Sequence, residues 1–414
     1  MIQILQDHKG LKRIWLVAMS FQILLAGVAI GLPEMADEPS FKMWANETVD
    51  QGIHKAYSKD GYWYDWWPFY LYVSKFVGLV YRYSGLYDRF GPYSHVLMFL
   101  LKCTMVLFNG FSGLLVYLIV RDFTGAERPA LQAVGMVLFH PGLMLATSAF
   151  GYQDAFHTCL VLLAVWSLCS GSAGWTPVWC TLACLTKPQA VIFMVPIGVF
   201  WLRQVHLQRA LQGLGTGLAT VVFVVMPFLM GGGIGKVFQA YWDVPGTHPW
   251  LTGLAHNCWW VFWPFPPFFS DQIPLIGGLN GLTIGLTMLG CFSLGTAWRL
   301  VSSLSKENLV RLSAFIAFVF FMVVTQIHEN HLYAMFPFLA IASQGARPLK
   351  RLFYILTGTF SLNLVLGLWA LHFETPIMVG PVRLSVLNAC INVGVLVWWS
   401  FLVLMDRLPS RDDR

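Results

Sequence analysis

The stretch WWPFYLYVSKFVGLVYRY, residues 66–83, decides how this chain threads a membrane. It is apolar and nearly long enough to cross a bilayer, yet it carries Lys75 and Arg82. Whether it crosses fixes the side on which every later loop lies. The surrounding sequence is that of a polytopic membrane protein: 414 residues, 57% hydrophobic and 11% charged, where soluble domains carry about 25% charged residues. Apolar runs of spanning length recur from Ile14 to Met405 with no long polar stretch between them, so no separate soluble domain is expected. No internal repeat or low-complexity tail is visible.

The spans are expected at roughly 14–33, 95–120, 130–149, 155–170, 174–186, 189–202, 211–230, 273–297, 312–328, 332–346, 352–371 and 385–405. Charge then settles 66–83. If it lies at the outer interface and the N-terminus is cytoplasmic, the cytoplasmic loops hold 16 of the 26 Lys and Arg, from Lys9 to Arg414. If it crosses, that basic excess lands outside, against the positive-inside rule. The expected architecture is therefore an all-α bundle of about twelve transmembrane helices, one integral membrane domain over 1–414. Within it, 34–94 is a first outer loop with interfacial helices, 95–346 a helical module with outer loops, and 347–414 the C-terminal helices.

The net charge of +6 belongs to these cytoplasmic loops and implies no nucleic acid. The first span follows HKGLKR and is too long for a cleaved signal, so it reads as a retained anchor. All eight cysteines lie in or beside apolar runs without metal-ligand spacing, as small core residues do.

With this threading the polar clusters gather at or just beneath the outer face. Seven carboxylates fall between Glu34 and Asp65. Glu47, Asp50 and Asp60 suit a solvated loop, but Asp37 stands at the membrane exit and Asp65 among aromatics. A carboxylate near hydrocarbon binds its proton more readily, which suits a general base. GYWYDWWPFYLY places eight aromatics within residues 62–72. Trp and Tyr favour headgroup depth in any membrane protein, but flat rings beside Asp65, with Trp66 and Trp67, also suit a sugar's C–H face and hydroxyls. Lys187, in LTKPQA, reads either as a snorkelling lysine or as a clamp for a lipid-borne phosphate, with Pro188 breaking the helix beside it. His328 and His331 have i, i+3 spacing but no third ligand, so hydrogen bonding to phosphate or sugar is expected rather than metal binding. The loop YWDVPGTHPWLTGLAHNCWW, 241–260, again interleaves polar groups with Trp.

These motifs resemble those of the membrane-embedded GT-C glycosyltransferases, which use polyprenyl- or dolichyl-phosphate sugars. The resemblance is nearer to bacterial mannosyltransferase-like members and more remote to the Alg-type glucosyltransferases. DEPSFKMWA matches the family's first outer loop at Asp37, Phe41, Trp44 and Ala45, and DWWPFYLYV keeps Asp65 and Pro68 of a DYPP motif. GYQDA stands for GQxDA, with Gln153 displaced by one and Asp154 kept; KPQA is complete from Lys187 to Ala190. NCWW stands for NLWW, giving Asn257, Trp259 and Trp260. HENHLYAMFP stands for HERYLYP and keeps His328 and Glu329, with Asn330 in place of Arg. The last two spans carry no motif of the resemblance.

What the resemblance implies is inverting transfer of a hexose, mannose or glucose, to an acceptor hydroxyl at the outer or lumenal face. Asp37 is the implied base. Asp65, Trp66, Trp67, Gln153, Asp154, Asn257, Trp259, Trp260 and Glu329 line the substrate, and Lys187 and His328 meet the donor phosphate. The implied partners are a polyprenyl-phosphate sugar, a glycan, lipid or protein acceptor, and membrane lipids, with no cofactor; the implied location is a bacterial inner membrane. Two other classes compete. A transporter or flippase of lipid-linked sugars favours midplane polar groups and paired repeats. A lipid-diphosphate-dependent polymerase or ligase calls for more basic outer loops.

Overall fold

A computed structural model describes residues 2–31, 37–57, 67–264, 268–373 and 375–404. Asp65 and Trp66 lie outside the described residues. In chain order the helices are α1 (Ile2–Asp7), α2 (Lys9–Val28), α3 (Glu38–Asp50), α4 (Pro68–Tyr83), α5 (Leu86–Phe90), α6 (His95–Thr124), α7 (Glu127–Leu138), α8 (Pro141–Met144), α9 (Asp154–Cys169) and α10 (Thr176–Thr186). They continue with α11 (Met194–Gln204), α12 (Leu207–Met230), α13 (Ile234–Thr247), α14 (Cys258–Phe262), α15 (Gly281–Ser302), α16 (Lys306–Val323), α17 (Met335–Ala342), α18 (Arg347–His372) and α19 (Leu384–Leu404). Two short antiparallel ladders, Pro274–Ile276 with Leu279–Asn280 and Met378–Val379 with Val382–Arg383, precede α15 and α19.

The chain forms two compact units. The first holds Met1–Leu115, Ala146–Val191 and Val205–Val244; the second holds Val116–Leu145, Ile192–Gln204 and Pro245–Arg414.

In the first unit the loop after α2 folds into helices, as expected. Pro68 opens α4, where its fixed φ and missing N–H cost nothing. Gly85, at φ +75°, follows its last turn, the usual left-handed stop. Its buried residues, Tyr70, Leu71, Ser74, Val77, Gly78 and Tyr81, follow the 3–4 spacing of one helix face. That face lies against α3 so closely that a Cβ on Gly78 would collide with the Ala45 carbonyl oxygen. At 16 residues, α4 is about 24 Å long, short of a hydrocarbon core of about 30 Å. An interfacial position for α4 fits that length. Elsewhere in this unit the Gln22 side chain on α2 accepts from Asn109 of α6 at 3.0 Å, a buried polar pair between two spans.

In the second unit α7 and α8 are bent by 49°, where Pro141 removes a backbone donor. α16 and α17 form its most buried part. His140 caps α8 by accepting from Leu143 N at 3.1 Å.

Among the described residues six helices are long and apolar enough to cross a membrane (α2, α6, α12, α15, α18 and α19), and the bent pair makes a seventh. The other five expected spans coincide with helices too, but with α9, α10, α11, α16 and α17, of 16, 11, 11, 18 and 8 residues. Polar motifs cause the shortening: GYQDA precedes α9, KPQA ends α10, and HENH separates α16 from α17. Seven of the twelve expected spans therefore have, among the described residues, a helix or bent pair both long and apolar enough to cross.

Candidate active site

In the first unit the starts of three helices and the end of a fourth come together. Asp37 occupies the N-cap position of α3 and is exposed; its carbonyl accepts from Phe41 N at 3.1 Å, the helix's first hydrogen bond. The next residue, Glu38, turns inward and meets Lys102 of α6 at 3.1 Å, with both side chains buried. Lys102 lies in turn against Gly151, whose φ of +75° turns the chain into α9. Asp154 is the first residue of α9 and is wholly buried.

Asp154 explains Lys187. The ammonium donates to Asp154 Oδ1 at 2.7 Å, and the Gln189 amide reaches the same oxygen at 3.1 Å. Lys187 is presented there because Pro188 forbids the residue before it a helical conformation: φ is −158° and ψ 124°, and α10 stops. The two residues that the sequence places in different roles are thus one buried ion pair.

The aromatic run reaches the same place. Trp67, buried at the N-cap of α4, packs on Tyr241 with ring centroids 4.0 Å apart. The Tyr241 hydroxyl points to the Cys184 carbonyl, 3.4 Å away and three residues before Lys187. Phe69 stacks on Phe156 of α9 at 5.5 Å, and Tyr70 faces Gln153 and Ser74. Burial pushes the Tyr70 and Tyr241 hydroxyls above their ordinary pKa, so both remain protonated donors. Neither amide atom of Gln153 completes a hydrogen bond of good geometry among the described residues, and the same is true of both His157 nitrogens. Buried polar atoms left this way are costly unless something else meets them.

The other expected site residues belong to the second unit. Asn257 caps α14, its Oδ1 accepting from Trp259 N at 3.1 Å and Trp260 N at 3.3 Å. Trp259 and Trp260 are buried, and Trp259 Nε1 donates to the Val323 carbonyl at 2.9 Å. These three therefore hold the loop in place through contacts with the protein itself. His328 pairs with the backbone of Gly253 and Leu254, and its ring lies 5.8 Å from that of His248 and 5.5 Å from that of His331. Glu329 is buried against α18, where Gly367 makes room: a Cβ there would come within 3.3 Å of its Cγ. Leu254 and Gln326 have φ of 68° and 62°, strained values for residues with side chains. They are held by Gly253 N donating to Ile327 O at 2.8 Å, by Gln326 N donating to Trp250 O at 2.9 Å, and by buried Asp271, which accepts from Thr325 and Gln326.

This loop is bolted to the C-terminal helices. Asn363 of α18 accepts from His256 N at 2.9 Å and donates to Leu254 O at 2.7 Å; Asn392 of α19 donates to His256 O at 2.9 Å. Asn388 donates to Thr359 O and to His256 Nδ1, so Nδ1 is the acceptor and the ring's proton sits on Nε2. Burial lowers the His256 pKa to about 3, in keeping with that neutral state. Among the described residues no group of three or more His, Cys, Asp or Glu is placed to hold a metal ion.

Compared by sequence, the chain matches no protein-family model and no curated protein. Compared by structure, it is similar to ArnT from Cupriavidus metallidurans bound to undecaprenyl phosphate. That similarity covers 94% of this chain and 70% of ArnT, with a TM-score of 0.53 at 13% identity. The chain has the GT-C fold. It is also similar to the Archaeoglobus fulgidus oligosaccharyltransferase tethered with an acceptor peptide containing the NVT sequon, over 96% of this chain and 56% of that one, with a TM-score of 0.41 at 11% identity.

Within this GT-C fold, sequence reasoning missed Lys102 with Glu38, His157 and Tyr241 in the first unit, and Asn363, Asn388 and Asn392 in the second. A signal existed for Lys102 and the asparagines. Each is a strongly polar residue inside an apolar run, and such residues are retained in membranes only with a partner. His157 has the same signature, two residues into an expected span.

Proposed function

We propose that this chain is an inverting glycosyltransferase that moves a hexose, mannose or glucose, from a polyprenyl-phosphate donor to an acceptor hydroxyl. The observation that carries the reading is the convergence in the first unit of Asp37, Trp67, Gln153 and the Asp154–Lys187 pair. The GT-C fold supports it, and so does ArnT, which shares that fold and binds undecaprenyl phosphate.

In this reading Asp37 takes the proton of the acceptor hydroxyl as its oxygen attacks the anomeric carbon. The bond from that carbon to the phosphate oxygen breaks on the opposite face, and its electron pair leaves with the polyprenyl phosphate. Asp37 is exposed, as a group must be to reach an acceptor arriving from outside. Lys187 serves two anions in turn: Asp154 holds it while the site is empty, and the donor phosphate draws on it as leaving-group charge develops. The buried amide of Gln153 supports a polar ligand group nearby, since a sugar hydroxyl can both donate and accept. Asp65 and Trp66 are the remaining candidate sugar ligands, and His328 and Glu329 are the candidate phosphate and sugar ligands of the second unit. Asn257, Trp259 and Trp260 shape the loop 251–260 beside them. The site faces the outside of a bacterial inner membrane.

The test is transfer by purified protein in lipid vesicles. Tritiated mannose or glucose is supplied on undecaprenyl phosphate, with a total glycolipid and glycan extract as acceptor. Label should move from the lipid to an acceptor with inverted anomeric configuration. Export of intact donor across the vesicle membrane, with no label transferred, contradicts the reading and favours a flippase.

A further inference from the structure

Lys102 has no role in the proposed chemistry, yet it is a lysine within the long apolar helix α6 and only 2% exposed. A charge so placed is kept only with a partner. Glu38 is that partner at 3.1 Å, and it is the first residue of α3, directly after Asp37. The lysine's stem makes a second contact: a Cβ on Gly151 would come within 3.1 Å of its Cγ and 3.4 Å of its Cε. Gly151 needs its left-handed backbone, at φ +75°, to deliver Asp154 three residues later to the start of α9. One side chain therefore touches both turns that carry the proposed chemistry.

The electrostatics give the contact a direction. The N–H groups at the start of α3 make a positive end, where a bare ammonium is unwelcome. Glu38, in the first turn of α3, puts a negative charge at that end and meets Lys102 at 3.1 Å. Removing the ammonium frees the first turn of α3, and removing the carboxylate sets Lys102 against it.

We propose that Lys102 is a positioning residue that holds the turn bearing Asp37 and the turn bearing Asp154 in fixed register, so that base and donor phosphate meet across one sugar. This rests on the glycosyl-transfer reading above. A misplacement of about 1 Å is enough to cost a factor of about 100 in rate.

The experiment uses the full chain in lipid nanodiscs with two readouts. The first is amide hydrogen exchange in peptides covering 37–45 and 150–156. The second is transfer of tritiated mannose or glucose from undecaprenyl phosphate. In Lys102→Met, exchange should rise in both peptides together, and kcat should fall about a hundredfold with the donor KM unchanged. Lys102→Arg, which keeps the charge, should recover most of the rate and protection. Lys306→Met removes the exposed pair with Asp122 and should leave both readouts at the wild-type level. Should Lys102→Met fail to fold, Glu38→Gln carries the same expectations with the helix start intact in shape. Faster exchange confined to one peptide, or an unchanged kcat, overturns the proposal. If the wild type transfers neither sugar, the glycosyl-transfer reading fails by itself, and the exchange experiment still decides whether Lys102 couples the two turns.

Discussion

The Asp154–Lys187 pair gives the sharpest quantitative prediction. The side chains are 0% and 9% exposed, and the bridge is 2.7 Å long. Replacing Lys187 by Met takes the cation from a wholly buried carboxylate, a loss that costs about 3–5 kcal/mol in buried pairs. Asp154→Asn should cost a similar amount by leaving the ammonium uncompensated. Replacing both with apolar residues of matched volume, Asp154→Leu with Lys187→Met, removes the desolvation penalty together with the attraction, so the double variant should lie within about 2 kcal/mol of wild type. The sum of the single losses should then exceed the double loss by at least about 4 kcal/mol, well beyond ordinary additivity error of about 0.5 kcal/mol. Reversible unfolding in mixed micelles measures all four forms. Gln189→Leu adds a check: it removes a neutral donor from the same oxygen and should cost only about 1 kcal/mol. If the single losses add within error, the two residues do not act as a pair, and the geometry assigned to the site is wrong. Activity should not follow stability. The double variant should regain its fold and remain inactive, because no cation is left for the donor phosphate.

Three further outcomes follow from particular positions. Gly151→Ala should cost about 2–5 kcal/mol by the same unfolding assay, combining a left-handed backbone with a Cβ against Met98 and Lys102; Gly171→Ala has the same backbone and open space, so it should cost only about 1–2 kcal/mol. His256 is held at a pKa of about 3 against an ordinary 6.5, so the folded state takes up fewer protons than the unfolded one between those values. Stability should be complete above pH 6.5 and fall by up to about 1.4 kcal/mol per unit as pH drops toward 3, and His256→Gln should flatten that slope in melting curves. Ser84→Cys, at the end of α4, should react with an impermeant thiol reagent added outside the cell; reaction only from the cytoplasmic side would make α4 a span and reverse the placement of each later loop.

The sequence made some of this legible and hid the rest for physical reasons. That 34–94 holds helices could be read from its apolar and aromatic runs, and α4 is a 16-residue helix packed on α3. The candidate residues Asp37, Asp154 and Lys187 stand out in the sequence because they lie at helix ends, where Pro188 and Gly151 punctuate the chain. Their partners do not. Lys187 and Asp154 are 33 residues apart, and Lys102 and Glu38 are 64 apart, distances at which pairing depends on how the helices pack. The end of α10 was legible: 174–186 is apolar but short, and Pro188 stops α10 after 11 residues. The last two helices read as plain apolar anchors, yet Asn363, Asn388 and Asn392 clamp the loop around His256.

The most direct measurement is the rate of hexose transfer from undecaprenyl phosphate by Asp37→Asn beside wild type, both reconstituted at equal density and checked for equal melting. Loss of a general base of this kind costs a factor of about 100 to 10,000. The account predicts that loss in kcat with the donor still bound, because Asp37 is exposed and Asn keeps its size and shape. An Asp37→Asn protein that turns over at the wild-type rate would contradict it.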